Sequence, residues 1–442
     1  MTTKAMTDQQ LYDHARTHRI PGGVQLRSKL PEQHAPGQWP AYFNRARGIE
    51  VQDIDGNQYQ DWSAHGIGAS LLGYRDPDVT AAVLRCIDEG SFSFLNPAEE
   101  VELADRLCQI HPWAQCVRFA RSGGEMTTVA IRIARATTDR SKIAICGYHG
   151  WHDWYLSANL GDHEALRGHL LPGLNPLGVP RELRGTAMTF PFNDRHAFDA
   201  IIAEHGRDLA AVVMEPCRYI DPEPGFLEHV RQQAHQVGAL LVFDEITIGF
   251  RRHFGGAHLR LDIEPDLAIF AKSLGNGHPI AAVIGTQAAM DGAHESFISS
   301  TYWTERVGPV AALATLQKMA QVDVPGHVDR MGRRVQETWS RHIDALGLPL
   351  KVTDGFPCFA EFEIVHEHAA ELRLLFVQEM LKHGYLAGNK VYLTLAHTEQ
   401  NLSDYDRVIG EVFMVMADAL AKGDLVDRLE GPVAMTGFKR LV

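Results

Sequence analysis

The stretch LVFDEITIGFRRHFGG (residues 241–256) runs from an apolar segment straight into two acids and then into glycine, arginine and aromatics. Leu240 to Phe243 reads as a buried strand, so Asp244 and Glu245 stand at its carboxyl end. Strands of a parallel sheet are apolar because both faces are covered, and the chain must turn polar near their ends. Taken alone, such an acid is more often a turn or helix cap than part of a catalytic pair. In open α/β sheets, however, ligands lie outside the carboxyl ends of the strands, which places Asp244 well for a site.

Outward from this strand the same texture repeats. Short apolar runs at 116–120 (CVRFA), 142–146 (KIAIC), 210–215 (AAVVME), 239–245 (ALLVFDE), 266–272 (DLAIFAK) and 280–285 (IAAVIG) alternate with segments of helical period. Such alternation predicts an α/β domain with a mostly parallel sheet covered by helices. Gly48 to Trp62 alternates polar and apolar residues around Asp55-Gly56-Asn57, a hairpin signal. Residues 321–442 return to amphipathic helices around a strand-like CFAEFEIV. The expected organisation is an N-terminal segment 1–77 belonging to a smaller α+β domain, a large domain 78–320, and the rest of the small domain in 321–442. The Gly161–Arg184 loop is long enough for a lid or an interface segment.

Composition narrows the function. The 442 residues are 45% hydrophobic and 22% charged, and 42 basic against 55 acidic residues give a formal charge of −13. With no run of Lys and Arg, neither nucleic acid nor an anionic membrane surface is the expected partner; small molecules are. The six cysteines form no CxxC pair, so neither a zinc site nor a disulfide framework is signalled and a reducing cytoplasm fits. The first residues lack the apolar core of a signal peptide, and no stretch approaches the ~20 apolar residues of a membrane helix. Among the 23 histidines, His149 with His152, and His294, make no convincing ligand set, so no metal is expected.

Four features carry chemistry. In VRFARSGGEMTTVAIRIARA, Ser122-Gly123-Gly124 lies between a strand and a helix, where backbone N–H groups and the helix dipole suit an anion; a plain tight turn has the same pattern. In CGYHGWHDWY (146–155), Tyr148 is placed to stack on a flat ring, or to plug a loop. Lys272 ends the apolar run DLAIFAK, where it either snorkels to solvent or is held as a desolvated amine. Together with Asp244, these are an anchor, a stacking face, a pyridinium partner and a Schiff-base lysine, the parts that pyridoxal phosphate requires.

The sequence also resembles a family. PGGV (21–24), DIDGNQYQDW, VRFARSGGE, GYHG, VVMEP, LLVFDEITIGFR, PDLAIFAKSLGNGHPIAAVIG and LAHTEQNL (395–402) occur in the order found in class III pyridoxal-phosphate aminotransferases of fold type I, within the branch of glutamate-1-semialdehyde aminomutase. The resemblance implies a homodimer with shared active sites and pyridoxal 5'-phosphate as cofactor. It implies Lys272 as the Schiff-base lysine, Asp244 at the pyridine nitrogen, Ile246 and Tyr148 on the two ring faces, and Ser122, Gly123 and Gly124 on the phosphate. Thr301 matches a threonine that reaches the partner's phosphate.

Departures from the branch point to a rebuilt pocket. Arg121-Ser122-Gly123-Gly124 replaces Asn-Ser-Gly-Thr, Trp303-Thr304-Glu305-Arg306 replaces Ser-Gly-Asn-Pro, and Trp151 replaces a His. A carboxylate-binding Arg falls on Lys29, with Arg27 two residues earlier, and a lysine offers a point charge in place of a bidentate fork. Trp151, Trp154, Tyr155, Tyr302 and Trp303, with His65, Glu305 and Arg306, suggest an aromatic, hydrogen-bonding lining suited to a polyhydroxylated carbonyl acceptor; Glu399 is a further substrate candidate. The expected activity is transfer of an amino group from an amino donor to an aldehyde or ketone. The alternatives are a true 2,1-aminomutase and a non-catalytic protein that keeps the fold.

Overall fold

The computed structural model describes residues 6–161, 165–166, 174–217 and 219–434. The chain divides into two compact units, Pro77–Pro325 and a unit made from both ends, Met1–Asp76 with Gly326–Val442. Strands β1 (Phe43–Arg47), β2 (Glu50–Asp53) and β3 (Gln58–Trp62) come first. The central unit holds β4 (Cys116–Ala120), β5 (Lys142–Cys146), β6 (Ala187–Thr189), β7 (Leu209–Met214), β8 (Leu240–Asp244), β9 (Leu267–Phe270) and β10 (Ala281–Gly285). The C-terminal part adds β11 (Leu350–Val352), β12 (Phe359–Ile364), β13 (Tyr385–Ala387) and β14 (Lys390–Tyr392).

The central sheet has the order β4-β10-β9-β8-β7-β5-β6, parallel except that β10 runs against both neighbours. The exception follows from chain length. The ten residues 271–280 between β9 and β10 are too few for a crossover, which needs about a dozen or more, so the chain returns antiparallel. Alternate residues feed opposite faces. Ile143, Ile145, Ala211, Val213 and Val242 join one core with Val129, Ala130, Ile133 and Ala134 of a helix at Gly123–Thr138. Ala144, Val212, Met214, Leu241 and Phe243 join the other with Phe226 and Val230 of the Phe226–Gln236 helix. The sheet is therefore buried on both sides, and its strand-end polar residues are left at the carboxyl edge. β6, three residues long, is a strand that the apolar runs do not signal.

In the terminal unit, Asp55-Gly56-Asn57 does lie in a hairpin, with Gln52 opposite Gln58 and Glu50 opposite Gln60. The Asp53 carboxylate closes it by accepting from the backbone and side-chain nitrogens of Asn57 at 2.8 Å each. β13 extends this sheet in parallel beside β3, and β11, β12 and β14 form a second sheet. The Glu399–Lys422 helix starts on a Thr398 capping box and stops at Gly423, where φ is +68°. Trp62 stacks on its Tyr405 at 4.0 Å.

No helix among the described residues is long and apolar enough to cross a membrane. Of the Gly161–Arg184 loop, residues 162–164 and 167–173 lie outside the described residues, so the lid or interface expected there is not described. Asn159 holds its described ends, donating to Leu174 O at 2.6 Å and accepting from Leu166 N–H at 2.9 Å.

Candidate active site

Asp244 ends β8 and is 3% exposed. One carboxylate oxygen accepts from His149 Nδ1 at 2.7 Å and the other from the Ile246 N–H at 2.9 Å. A buried carboxylate needs such donors to remain charged. His149 belongs to the turn after β5, two strands away, and its other ring nitrogen faces Cys146 O at 3.2 Å. Tyr148, on the same turn, is half-buried and meets Tyr155 edge to face at 5.8 Å. Burial, and then the Asp244 carboxylate, push its phenol above the ordinary value.

Lys272 lies two residues beyond β9, at the same edge of the sheet. Its φ of +44° is in the left-handed region, a conformation that costs a lysine about 1–3 kcal/mol and is retained where surrounding structure imposes it. Its Nζ donates to the Thr247 hydroxyl at 2.8 Å. Burial, and secondarily the Arg251 guanidinium, lower its pKa to about 8, against the pull of Asp244 and Glu215. This is a desolvated amine whose hydrogen-bond partner is neutral, able to act as a nucleophile near neutral pH.

The helix at Gly123–Thr138 begins at that edge too, directly after β4. Ser122 caps it reciprocally with Glu125, whose carboxylate accepts the N–H groups of Arg121 and Ser122 at 3.1 and 2.9 Å. The serine hydroxyl expected on a phosphate is thus engaged at the cap. The N–H groups of Gly123 and Gly124, first in the helix, have no intrahelical acceptor, an arrangement that suits an anion. A Cβ on Gly123 would come 2.9 Å from Ile246 Cδ1, so Ile246 lies against the cup. Asp244, Ile246, Tyr148, His149, Lys272 and the two glycines therefore occupy one strand-end edge.

The expected substrate residues are divided. Thr301 is exposed and opens a 3-10 turn, Thr301–Thr304. Trp303 follows it, and its indole N–H donates to Glu125 at 3.4 Å while its carbonyl accepts from Arg121 at 2.8 Å, which lays this segment on the start of the Gly123–Thr138 helix. Trp151 is 69% exposed beside Gly124. Arg306 is spent on carboxylates, 2.7 Å from Glu99 and 3.0 Å from Glu89. Trp154 and Tyr155, expected in a pocket lining, are packed in the core beneath the turn. Tyr302 is exposed.

Arg27, Lys29, His65 and Glu399 belong to the terminal unit. Arg27 is half-buried and Lys29 exposed, both on one short 3-10 turn. His65 is a core residue, stacked on Tyr74 at 4.0 Å. Glu399 opens its helix, exposed and ion-paired with Arg334. His149 and Thr247 had no role in the sequence reading, although GYHG and DEIT contain them. No group of His, Cys, Asp and Glu among the described residues is arranged to hold a metal.

Residues 33–391 match the model of the family "Aminotransferase class-III". A 2'-deamino-2'-hydroxyneamine transaminase of Streptomyces kanamyceticus is 31% identical over 391 residues, covering 86% of this chain and 94% of the relative. A glutamate-1-semialdehyde 2,1-aminomutase of Desulfovibrio desulfuricans is 32% identical over 432 residues, covering 92% of this chain and 98% of the relative. Among solved structures, the internal aldimine form of the FumI protein of Sphingopyxis sp. MTA144 superposes with a TM-score of 0.83 at 25% identity, over 94% of this chain and 97% of that one.

Proposed function

The chain belongs to the class III aminotransferases, enzymes that use pyridoxal 5'-phosphate, and from that premise we propose that it moves an amino group from an amino donor to an aldehyde or ketone acceptor with Lys272 as the coenzyme-bearing residue. The observation that carries the assignment is the Lys272 amine, brought to a pKa of about 8 by burial on the sheet edge that also bears Asp244. The residues fit the coenzyme: a desolvated amine, a buried carboxylate and two free helix-start N–H groups are the donor set it requires. Bound there, the coenzyme supplies a carbonyl that takes up amines and a ring that withdraws electrons from the substrate carbon.

The chain's own groups do the rest. Lys272, with its amine free, would take the proton from the carbon that bears the donor's amino group and, in the second half of the transfer, would supply one to the acceptor's carbonyl carbon, a task suited to an amine with a lowered pKa. Asp244, oriented by His149 and the Ile246 N–H, holds the pyridine nitrogen protonated. Gly123 and Gly124 would hold the phosphate through their N–H groups, and Ile246 and Tyr148 would pack on the ring. Borohydride reduction of the coenzyme-loaded protein should fix the label to Lys272; a label on another lysine removes it from this role.

The acceptor reading favours a hydroxylated carbonyl compound. The S. kanamyceticus relative is named for a hydroxylated substrate, and the exposed Trp151 and Tyr302 offer aromatic faces. With Trp154 and Tyr155 in the core, that lining is smaller than the sequence suggests. Lys29 in place of a carboxylate-binding arginine argues against efficient glutamate-1-semialdehyde turnover, although aminomutases are among the relatives. Turnover of glutamate 1-semialdehyde to 5-aminolevulinate with a specificity constant of ~10⁴ M⁻¹s⁻¹ or higher would assign the aminomutase instead.

The working unit is proposed to be a homodimer in which Thr301 serves the partner's phosphate site. Phe92 (49% exposed), Phe94 (104%), Leu95 (78%) and Tyr302 (69%) give this surface an apolar character that a lone protein rarely leaves uncovered. The rings of Phe92 and Tyr302 lie 5.9 Å apart, so the Thr301 turn belongs to that surface. Sedimentation at working concentration tests this, and an active monomer contradicts it.

A further inference from the structure

The turn after β5, Gly147 to His152, is fastened to the start of the Gly123–Thr138 helix. The Thr127 hydroxyl bridges the carbonyls of Gly124 and His149 at 2.9 Å each, and a Cβ on Gly150 would lie 3.2 Å from Gly124 Cα. His152 sits on this contact. A Cβ on Gly124 would come 3.0 Å from its Cε1 and 3.1 Å from its Nδ1, so the imidazole fills the space that a side chain at residue 124 would take. The ring and its backbone are each held. Trp151 stacks on it at 4.3 Å with 23° between the planes, and the His152 carbonyl accepts the N–H groups of Tyr155 and Leu156 at 3.0 and 3.1 Å.

His152 Nδ1 is buried, with no hydrogen-bond partner among the described residues. A buried polar atom is costly to leave unpaired, and native structures rarely do so where no ligand completes it. The N–H groups of Gly123 and Gly124, beside it, have no acceptor within the helix. Burial keeps the ring below the ordinary histidine pKa, with Glu125 and Asp153 opposing, so the neutral form carries one N–H to donate.

We propose that His152 binds the coenzyme phosphate through Nδ1–H, completing the cup of Gly123 and Gly124 with the side-chain donor that residue 124 lacks. The proposal rests on the reading above that the phosphate sits at the start of this helix. Trp151 is then a positioning residue that holds the imidazole in place by stacking. The arrangement is a swap in which a glycine opens the space and a histidine from the next turn enters it.

The test is to titrate the apo-protein with pyridoxal 5'-phosphate and, separately, with pyridoxal, which has the ring and no phosphate, following coenzyme absorbance. His152→Ala should weaken pyridoxal phosphate binding by about 10- to 100-fold, the range for a hydrogen bond to a charged group, and leave pyridoxal binding unchanged. Gly124→Thr should weaken binding in the presence of His152, with which it collides, and restore it in the His152→Ala background, where its hydroxyl takes the vacated place. Unchanged phosphate-ester affinity in His152→Ala, or an equal loss for both ligands, overturns the proposal. A crystal structure of the coenzyme-loaded protein separates the two layers. Phosphate on Gly123 and Gly124 but beyond hydrogen-bond reach of Nδ1 overturns the role of His152 alone, whereas phosphate held elsewhere overturns the site reading with it.

Discussion

Asp244, the last residue of β8, and Glu245, the next one, are 3% and 1% exposed, yet their carboxylates serve different neighbourhoods. Asp244 faces the turn after β5, where His149 and the Ile246 N–H hold it beside Lys272 and Tyr148. Glu245 points into the protein. Its carboxylate accepts the N–H groups of Ala257 and His258 at 3.0 and 2.8 Å and the His258 ring at 2.8 Å, and that ring accepts from Trp113 Nε1 at 3.1 Å. Successive side chains of a strand point to opposite faces, so the alternation that buries the sheet also separates a carboxylate for chemistry from one for architecture. Burial alone does not distinguish them; their partners do.

Breaking the reactive side should have the largest effect. Lys272→Ala removes both the covalent attachment and the proton carrier, and turnover should fall by about 10³-fold or more, measured as single-turnover loss of the amine-loaded form. The lowered pKa adds a prediction with a definite sign. Only the neutral amine attacks a carbonyl, so the rate at which apo-protein captures the coenzyme should rise with pH and level off above about 8, well below the ordinary lysine value. A rate still rising steeply above pH 10 would show that the amine is not desolvated.

Asp244→Asn comes next. It keeps the shape and loses the charge that protonates the pyridine nitrogen, so turnover should drop by about 10² or more while coenzyme remains bound. Near-normal turnover would remove Asp244 from the mechanism. His149→Phe keeps a ring in place and removes the donor to Asp244, for an expected loss of about tenfold. The coenzyme's visible band should also change its pH dependence in that variant, a shift that a merely structural histidine would not produce.

How much of this was legible in the sequence depends on distance along the chain. The α/β fold, Lys272, Asp244 and the two glycines are written locally, because an apolar run followed by a polar residue or Gly-Gly marks a strand end wherever it occurs. The antiparallel course of β10 was also implicit in the short link from β9, although its apolar run alone carries no direction. His149 and His152 were not readable, since one is defined by an acid 95 residues away and the other by a missing side chain on a different element. Trp154 and Tyr155 were misread for a related reason. They follow a strand end, as pocket residues do, but the short helix Asp153–Leu156 turns them back into the core. Arg306 and His65 have chemistry suited to a site, and it is the carboxylates around the first and the Tyr74 stack on the second that assign them elsewhere.

The smallest effect on chemistry, and the sharpest test of the comparison, belongs to Glu245→Gln. The amide retains the volume and one carbonyl oxygen, which continues to accept from His258, but it turns its NH₂ group toward the Ala257 N–H. Two donors then face each other in a buried site, a loss of about 1–3 kcal/mol in stability by the usual cost of an unsatisfied buried group. None of these partners belongs to the strand-end edge that bears Lys272, and the backbone of Glu245 remains tied to the sheet through Ile269 O at 2.9 Å. Turnover per folded molecule should therefore stay within about twofold of the parent while the denaturant midpoint falls with an unchanged slope. If Glu245→Gln instead cuts turnover as deeply as Asp244→Asn at full stability, the two acids act as one unit and the division of labour between the faces of β8 is wrong.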